Sequence, residues 1–220
     1  MRVRRTPRGA MARAALPVLV ALAMCSQVRA DVIDRILAVV GGELITLSDV
    51  TAAVKLGLVP APRAGGDVVR VALDALISRQ LELAEANRYQ PPEPAQADVQ
   101  ARFDEVRRRG GTAEALAATL AQAGLSEEQL RLRVRDDLRI EAFLAQRFGG
   151  ARQPSEPEVL DYYRAHQPEF TTAAGIRPLS DVRDTIRATL TTSQRATLLN
   201  DWLEGLRRRT EIADLYVAAK

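Results

Sequence analysis

His166 is the only histidine among the 220 residues and Cys25 the only cysteine. A thiolate and imidazole metal site needs several such side chains to converge, and a histidine-based triad needs a nucleophile and an orienting acid beside the ring. Neither set is present, and His166 lies in a polar segment next to Pro168, so it reads as a surface histidine and no metal or cofactor is expected. The carboxylate pairs Glu127-Glu128 and Asp136-Asp137 are adjacent in sequence. On a helix they diverge by about 100° and read as solvated faces, not as an acid/base dyad. The glycine pairs Gly41-Gly42, Gly65-Gly66, Gly110-Gly111 and Gly149-Gly150 lack the following Lys-Ser or dinucleotide fingerprint of a phosphate loop and read as turns and helix stops. The arginine runs 107–109 and 207–209 end helices, where cations complement exposed carbonyls and the dipole. Trp202 is expected to be a packing anchor on the last helix, and Tyr162-Tyr163 to serve either the core or recognition.

The formal charge of +3 and the sequence pI near 9.4 suggest a nucleic-acid or anionic partner only if the excess belongs to the working protein. It does not. Arg2, Arg4, Arg5, Arg8, Arg13 and Arg29 precede or flank an apolar run from Ala14 to Met24, which is too short for a stable span, needing roughly 20 residues, and is interrupted by Pro17. Val28 and Ala30 supply the small residues of a signal-peptidase site. Residues 1–30 therefore read as a secretory signal peptide cut between Ala30 and Asp31. Removing these six arginines from the 31 basic residues leaves 25 against 28 acidic ones, a net of −3. Nucleic-acid binding is disfavoured, and no stable membrane anchor remains after cleavage. Cys25 leaves with the leader, so the mature chain has neither disulfide nor thiolate ligand. Leu22-Ala23-Met24-Cys25 half resembles a lipobox, but Met24 stands where a small residue belongs, and lipid anchoring is not expected.

The elements follow from periodicity. Hydrophobic residues make up 47% of the chain and aromatics only 4%, so the core must be built from Leu, Val, Ile and Ala, which favours helices and excludes an all-β fold. Ile33–Val40 reads as a strand, Gly41-Gly42 as a tight turn and Leu44-Ile45-Thr46 as a returning strand. Thr46 with Asp49, or Ser48, caps a helix to about Leu58, ended by Pro60 and Pro62. A second helix opens at Gly65-Gly66-Asp67 and runs to about Tyr89 with Val69, Leu73, Leu76, Ile77, Leu81 and Ala84 on one face. A third spans about Ala95–Arg109 and buries Val99, Phe103 and Val106. Thr112 caps a short helix carrying Leu116 and Leu120. Ser126 and Gln129 form the capping box of the next, with Leu130, Val134, Leu138, Ala145 and Phe148 on one side. Ser155 and Glu158 open a helix through Val159, Tyr162 and Tyr163. After a linker, Thr171–Arg177, the longest helix runs from Pro178 to about Arg209 through Val182, Ile186, Leu190, Leu199, Leu203 and Leu206. Thr210–Val217 is short and partly alternating and reads as a terminal strand able to pair with the first.

Asp31–Val50 (DVIDRILAVVGGELITLSDV), the second helix (ALDALISRQLELAEANRY) and Gly124–Arg139 (GLSEEQLRLRVRDDLR) resemble the SurA-type periplasmic chaperones. In that family an N-terminal helical domain and a C-terminal long helix plus strand share one core, with parvulin prolyl-isomerase domains inserted between them. Asp161–Phe170 (DYYRAHQPEF) is similar to the lead-in to such a domain, and Leu198–Ile212 (LLNDWLEGLRRRTEI) to the family's terminal helix and strand. Only Thr171–Gly175 stands between the lead-in and the terminal helix. Parvulin isomerases use histidines with a Cys or Asp, so a mature chain with one histidine and no cysteine carries over no catalytic residue.

The resemblance implies a mainly α fold: a SurA/trigger-factor-like helical chaperone core with a small β-hairpin near the mature N-terminus and a C-terminal strand after a long helix. It implies an N-terminal helical domain over 31–150, a helix and linker over 151–177 where a parvulin domain would be inserted, and a long helix and strand over 178–220 completing the core, with the terminal helix against the first three. The function expected is a periplasmic holdase that binds unfolded segments of exported proteins, outer-membrane precursors above all, without ATP and without enzymatic activity. The alternatives are a prolyl isomerase or an assembly factor dedicated to one partner. Leu56, Leu58, Val59 and Phe103 are the candidate peptide-binding residues, because they flank proline or glycine breaks or supply scarce aromatic area. N-terminal sequencing of the exported protein is expected to begin at Asp31; a mature chain that retains residues 1–30 would overturn the leader assignment.

Overall fold

The computed structural model describes residues 34–62, 64–150, 152–173 and 175–218; the expected leader and its cleavage point, Ala30 and Asp31, lie outside them. The chain forms β1 (Ile36–Val40), β2 (Glu43–Thr46), α1 (Leu47–Lys55), α2 (Val68–Tyr89), α3 (Gln96–Arg109), α4 (Ala113–Gln122), α5 (Glu127–Phe148), α6 (Glu156–Ala165), a 3₁₀ turn (Gln167–Phe170), β3 (Thr171–Thr172), β4 (Gly175–Ile176), α7 (Leu179–Arg209) and β5 (Ile212–Asp214). It is mainly α, with an N-terminal hairpin and a strand after the long helix. Gly41 and Gly42 turn the hairpin at φ +57° and +93°, the left-handed conformations that a two-residue turn between right-twisted strands requires. β1 is central in the sheet order β2-β1-β5, and its Leu37 and Ala38 are fully buried. β5 runs antiparallel to β1, with Val40 opposite Ile212 and Ala38 opposite Asp214.

Local capping sets the helix starts. Thr46 and Asp49, Ser126 and Gln129, and Ser155 and Glu158 each form a reciprocal capping box, satisfying amides that a helix start leaves without partners. Asp67 and Thr112 cap α2 and α4 with a side-chain oxygen. The structure adjusts several expectations. β1 starts at Ile36, with Asp34 and Arg35 outside it, and α1 ends at Lys55, three residues early, because Gly57 takes φ +62° before either proline is reached. Ala84 and Ala145 are exposed; Ala86, Ile140 and Phe143 are buried instead, because the later turns of α2 and α5 face α7 through Trp202. Thr171–Arg177 is no plain linker, since Thr171-Thr172 pairs with Gly175-Ile176.

Two cores dominate the larger lobe. One gathers β1, Ile45, α1 and α2 around Leu37, Leu73 and Ile77 and takes in Leu206 of α7; the other joins Leu56 to α3, α4 and α5 through Phe103, Val106, Leu116, Leu130 and Val134. A small separate core packs Val159 and Phe170 against Val182 and Ile186 at the start of α7. α7 thus links two packed regions. It rests chiefly on α2 and α5, and its Leu206 joins the core that α1 and α2 share, so the expected packing against the first three helices holds mainly through α2. Between Ile186 and Leu206 no α7 residue is buried.

Arg207 donates to the carbonyl of Asp74 (3.3 Å) and to Ser78 Oγ (2.9 Å), Arg209 pairs with buried Glu85 (3.5 Å), and Arg70 on α2 reaches Asp214 of β5 (2.6 Å). These contacts give the arginine run at the end of α7 a tertiary role beyond the helix dipole. Leu206→Ala is expected to lower stability by about 2–4 kcal/mol, the cost of a cavity in a closed core, whereas Leu198→Ala on the same helix, 49% exposed, should change it by less than about 0.5 kcal/mol; chemical denaturation of both variants checks the contrast.

Candidate functional site

α2, α3 and α5 and the loop that follows α1 enclose an open cleft of about 350 Å³. The loop is set from below. Leu58 N–H donates to Ala53 O (2.8 Å), Arg109 on α3 donates to Gly57 O (2.7 Å), and Leu58 packs on both large cores. Leu58 and Val59 are thereby presented to the cleft, whose apolar floor is completed by Leu76, Val106, Val134 and Ile140.

Charged residues rim this floor, and nearly all are committed. Arg79 on α2 binds Asp137 on α5 at 2.5 Å and also donates to the carbonyl of Arg133. Arg102 on α3 makes a two-pronged contact with Glu141 on α5 (2.8 and 3.2 Å), the geometry in which an arginine and a carboxylate hold each other best. Arg109 adds Glu105 (3.4 Å) to its bond with Gly57. Behind Arg79, Arg133 keeps two buried nitrogens without hydrogen-bond partners, and burial together with Arg79 pulls its guanidinium down to about 10.

Glu82 differs from the rest of the rim. It lines the cleft half-buried, and no hydrogen bond or ion pair reaches its carboxyl among the described residues. Burial pushes it up to about 7, with Arg79 opposing and Asp137 reinforcing the shift. Its protonated form can donate a hydrogen bond and its ionised form can receive a cation. Further along α2 and α5, Tyr89 stacks on Phe143 at 5.5 Å, while Phe143 and Phe148 flank Trp202 on α7 at 5.8 and 5.5 Å. Trp202 is the packing anchor its sequence position predicted, and Tyr89, 57% exposed, borders a shallow depression of about 210 Å³.

The expected binding residues divide. Leu58 and Val59 line the cleft, but Leu56 and Phe103, each 1% exposed, are core, which corrects their assignment to an open surface. Leu56 fills the α3–α4–α5 core, and the guanidinium of Arg131 lies 4.1 Å from the centre of the Phe103 ring. His166 Nδ1 contacts Tyr162 O at 2.9 Å and its ring stacks on Tyr162. Tyr162 and Tyr163 pack on the small core. Asp136 and Asp137 diverge as expected, one to Arg135 and Arg139, the other to Arg79. Sequence reading missed Arg79, Glu82, Arg102 and Glu141. The available signal was an Arg and a Glu three apart, at 79 and 82, flanking the apolar stripe of α2. Among the described residues no His, Cys, Asp and Glu side chains converge as a metal site, and no helix is long and apolar enough to cross a membrane.

One solved chain, from the work on the virulence factor PEB4 and the periplasmic protein Cj1289, two structurally related SurA-like chaperones of Campylobacter jejuni, matches 84% of this chain over 100% of its own length, with a TM-score of 0.50 and 13% identity. At that identity the likeness is one of fold alone, a mainly helical core. No family profile and no curated protein matches the sequence.

Folding raises the pKa of Glu82 above its ordinary value of 4.5, so the stability it contributes is complete below that value and is lost as pH rises through about 7. Glu82→Gln is therefore expected to flatten the fall in stability between these pH values and to leave the variant about 1–2 kcal/mol more stable at pH 8, after allowance for solvent in an open cleft. Urea midpoints of both proteins at pH 5 and pH 8 check it.

Proposed function

We propose that this chain is an ATP-independent holdase of the periplasm that binds unfolded segments of exported proteins, outer-membrane β-barrel precursors foremost. The observation that carries the reading is the open cleft, apolar below and rimmed by charges already paired, in a fold similar to SurA-like chaperones. A preformed apolar depression of this size takes one or two side chains, so each contact is weak and reversible and the client stays extended. An exported, unfolded β-barrel strand needs such cover because its unpaired edges aggregate. The export leader over residues 1–30 supports the location, and Leu58 and Val59 are the cleft residues assigned to the client.

The domain reading follows the same lines: 31–150 is the N-terminal helical domain, 151–177 the helix and hairpin at the point where the resemblance expects a parvulin domain, and 178–220 the helix and strand that complete the core. Among the described residues between α6 and α7 only a 3₁₀ turn and the hairpin β3–β4 intervene, which is far short of a catalytic domain and supports a chaperone over an isomerase. Light scattering of a denatured porin diluted into buffer is expected to fall when the protein is present at a one-to-one ratio, without nucleotide. Unchanged scattering would overturn the holdase reading.

A further inference from the structure

We infer that the cleft holds a cationic subsite, in which Glu82 receives the ammonium of a client lysine while Leu58, Val59 and Leu76 cover its aliphatic stem. The inference rests on the holdase reading and specifies what the client presents. Three arginines and three carboxylates line the cleft, so a simple count leaves it neutral. The pairing does not. Arg79 is bound to Asp137, Arg102 to Glu141, and Arg109 to Gly57 and Glu105. Glu82 is the one lining carboxyl without an ion pair or hydrogen bond among the described residues.

A half-buried carboxylate without a hydrogen bond or ion pair is costly, and the nearby charge of Arg79 offsets the burial only in part. Arg79 is turned to α5, and Arg133 lies behind Arg79 without lining the cleft. An incoming cation supplies the missing partner. Lysine suits the space because its four-carbon stem lies along apolar surface while the head reaches a polar group; an arginine fork would compete with the guanidinium groups already on the rim. About 350 Å³ is at the small end of ligand sites, roughly 300–1,000 Å³, and accommodates one long side chain with its backbone. Binding at this subsite depends on pH through Glu82. The groups that face it are Arg79 from α2, Arg102 and Arg109 from α3, and Asp137 and Glu141 from α5. Arg79 and Arg102 are held by the two other carboxylates and Arg109 by Gly57 and Glu105, and residues 57–60 carry no titratable side chain.

The test uses a short fluorescein-labelled peptide of Leu, Ala and Ser with one central lysine, and its twin with norleucine at that position, titrated with the mature protein and followed by fluorescence anisotropy. The lysine peptide is expected to bind roughly five- to tenfold more tightly at pH 8. That preference should shrink at pH 5.5 and vanish in Glu82→Gln. Equal binding of the twins, or a lysine preference that survives Glu82→Gln, overturns the subsite. If neither peptide binds while porin scattering is still suppressed, the subsite falls and the holdase stands; if suppression is absent as well, the holdase reading itself has failed.

Discussion

The antiparallel pairing of β1 with β5 is the contact on which the rest of the structure depends. β1 is a five-residue strand, and with β2 alone it would be an isolated hairpin, marginal in water. β5 arrives from more than 170 residues away and makes it the centre of a sheet, which closes the chain on itself. Leu206, Leu203 and Trp202 come with it and cover the face of α2. Arg70 links both partners, pairing with Asp74 on its own helix and with Asp214 on the strand, and Tyr216 Oη donates to Asp67 (2.8 Å) at the start of α2. These polar contacts are partly exposed and individually weak. Their value is alignment, because they set the register in which the apolar residues meet.

The closure determines where the molecule is open. With the last turns of α7 held on α2 and α5, its first turns carry the small core of Val159, Phe170, Val182 and Ile186, and Glu156 on α6 binds Arg187 and Arg183 on α7. The span between has only exposed or half-buried side chains, many of them Thr, Ser and Ala. It is a helix kept in place from its ends. The cleft between α2, α3 and α5 likewise stays open because Arg79–Asp137 and Arg102–Glu141 bridge its walls with polar contacts. Apolar side chains in those places would interdigitate and draw the helices together. Ion pairs of this kind contribute little to stability, and their effect is to keep an apolar floor accessible to a visitor. That combination is what the proposed holdase reading calls for.

Much of the fold is legible in the sequence because its signals are local. The capping boxes at Thr46, Ser126 and Ser155, the glycine turn at 41–42 and the apolar spacing of α2 act within a few residues, and the elements stand close to where those signals put them. The terminal strand was legible from the partial alternation of Thr210–Val217, which made it able to pair with the first strand, and the structure makes that pairing. Legibility fails where one helix changes neighbours along its length. Ala145 lies on the early stripe of α5, yet Ile140 and Phe143 are buried in its place because Ala86 and Trp202 have come alongside.

The candidate site was legible only at Leu58 and Val59, whose place after a glycine and before a proline marks a turn that exposes apolar residues. Leu56 carried the same signal and is core, since the turn begins one residue later. The unpaired state of Glu82 is a tertiary fact. Three residues after an arginine on a helix it looks like half of an ion pair, and it loses that partner because Asp137, 58 residues beyond Arg79, binds it first. The sequence by itself determined the helical class and the element boundaries to within a few residues, set by periodicity and capping, and it offered a last strand able to pair with the first. Which carboxylates are satisfied and which is left facing the cleft was decided by tertiary structure alone, because charge pairing depends on distances between helices that no local pattern encodes.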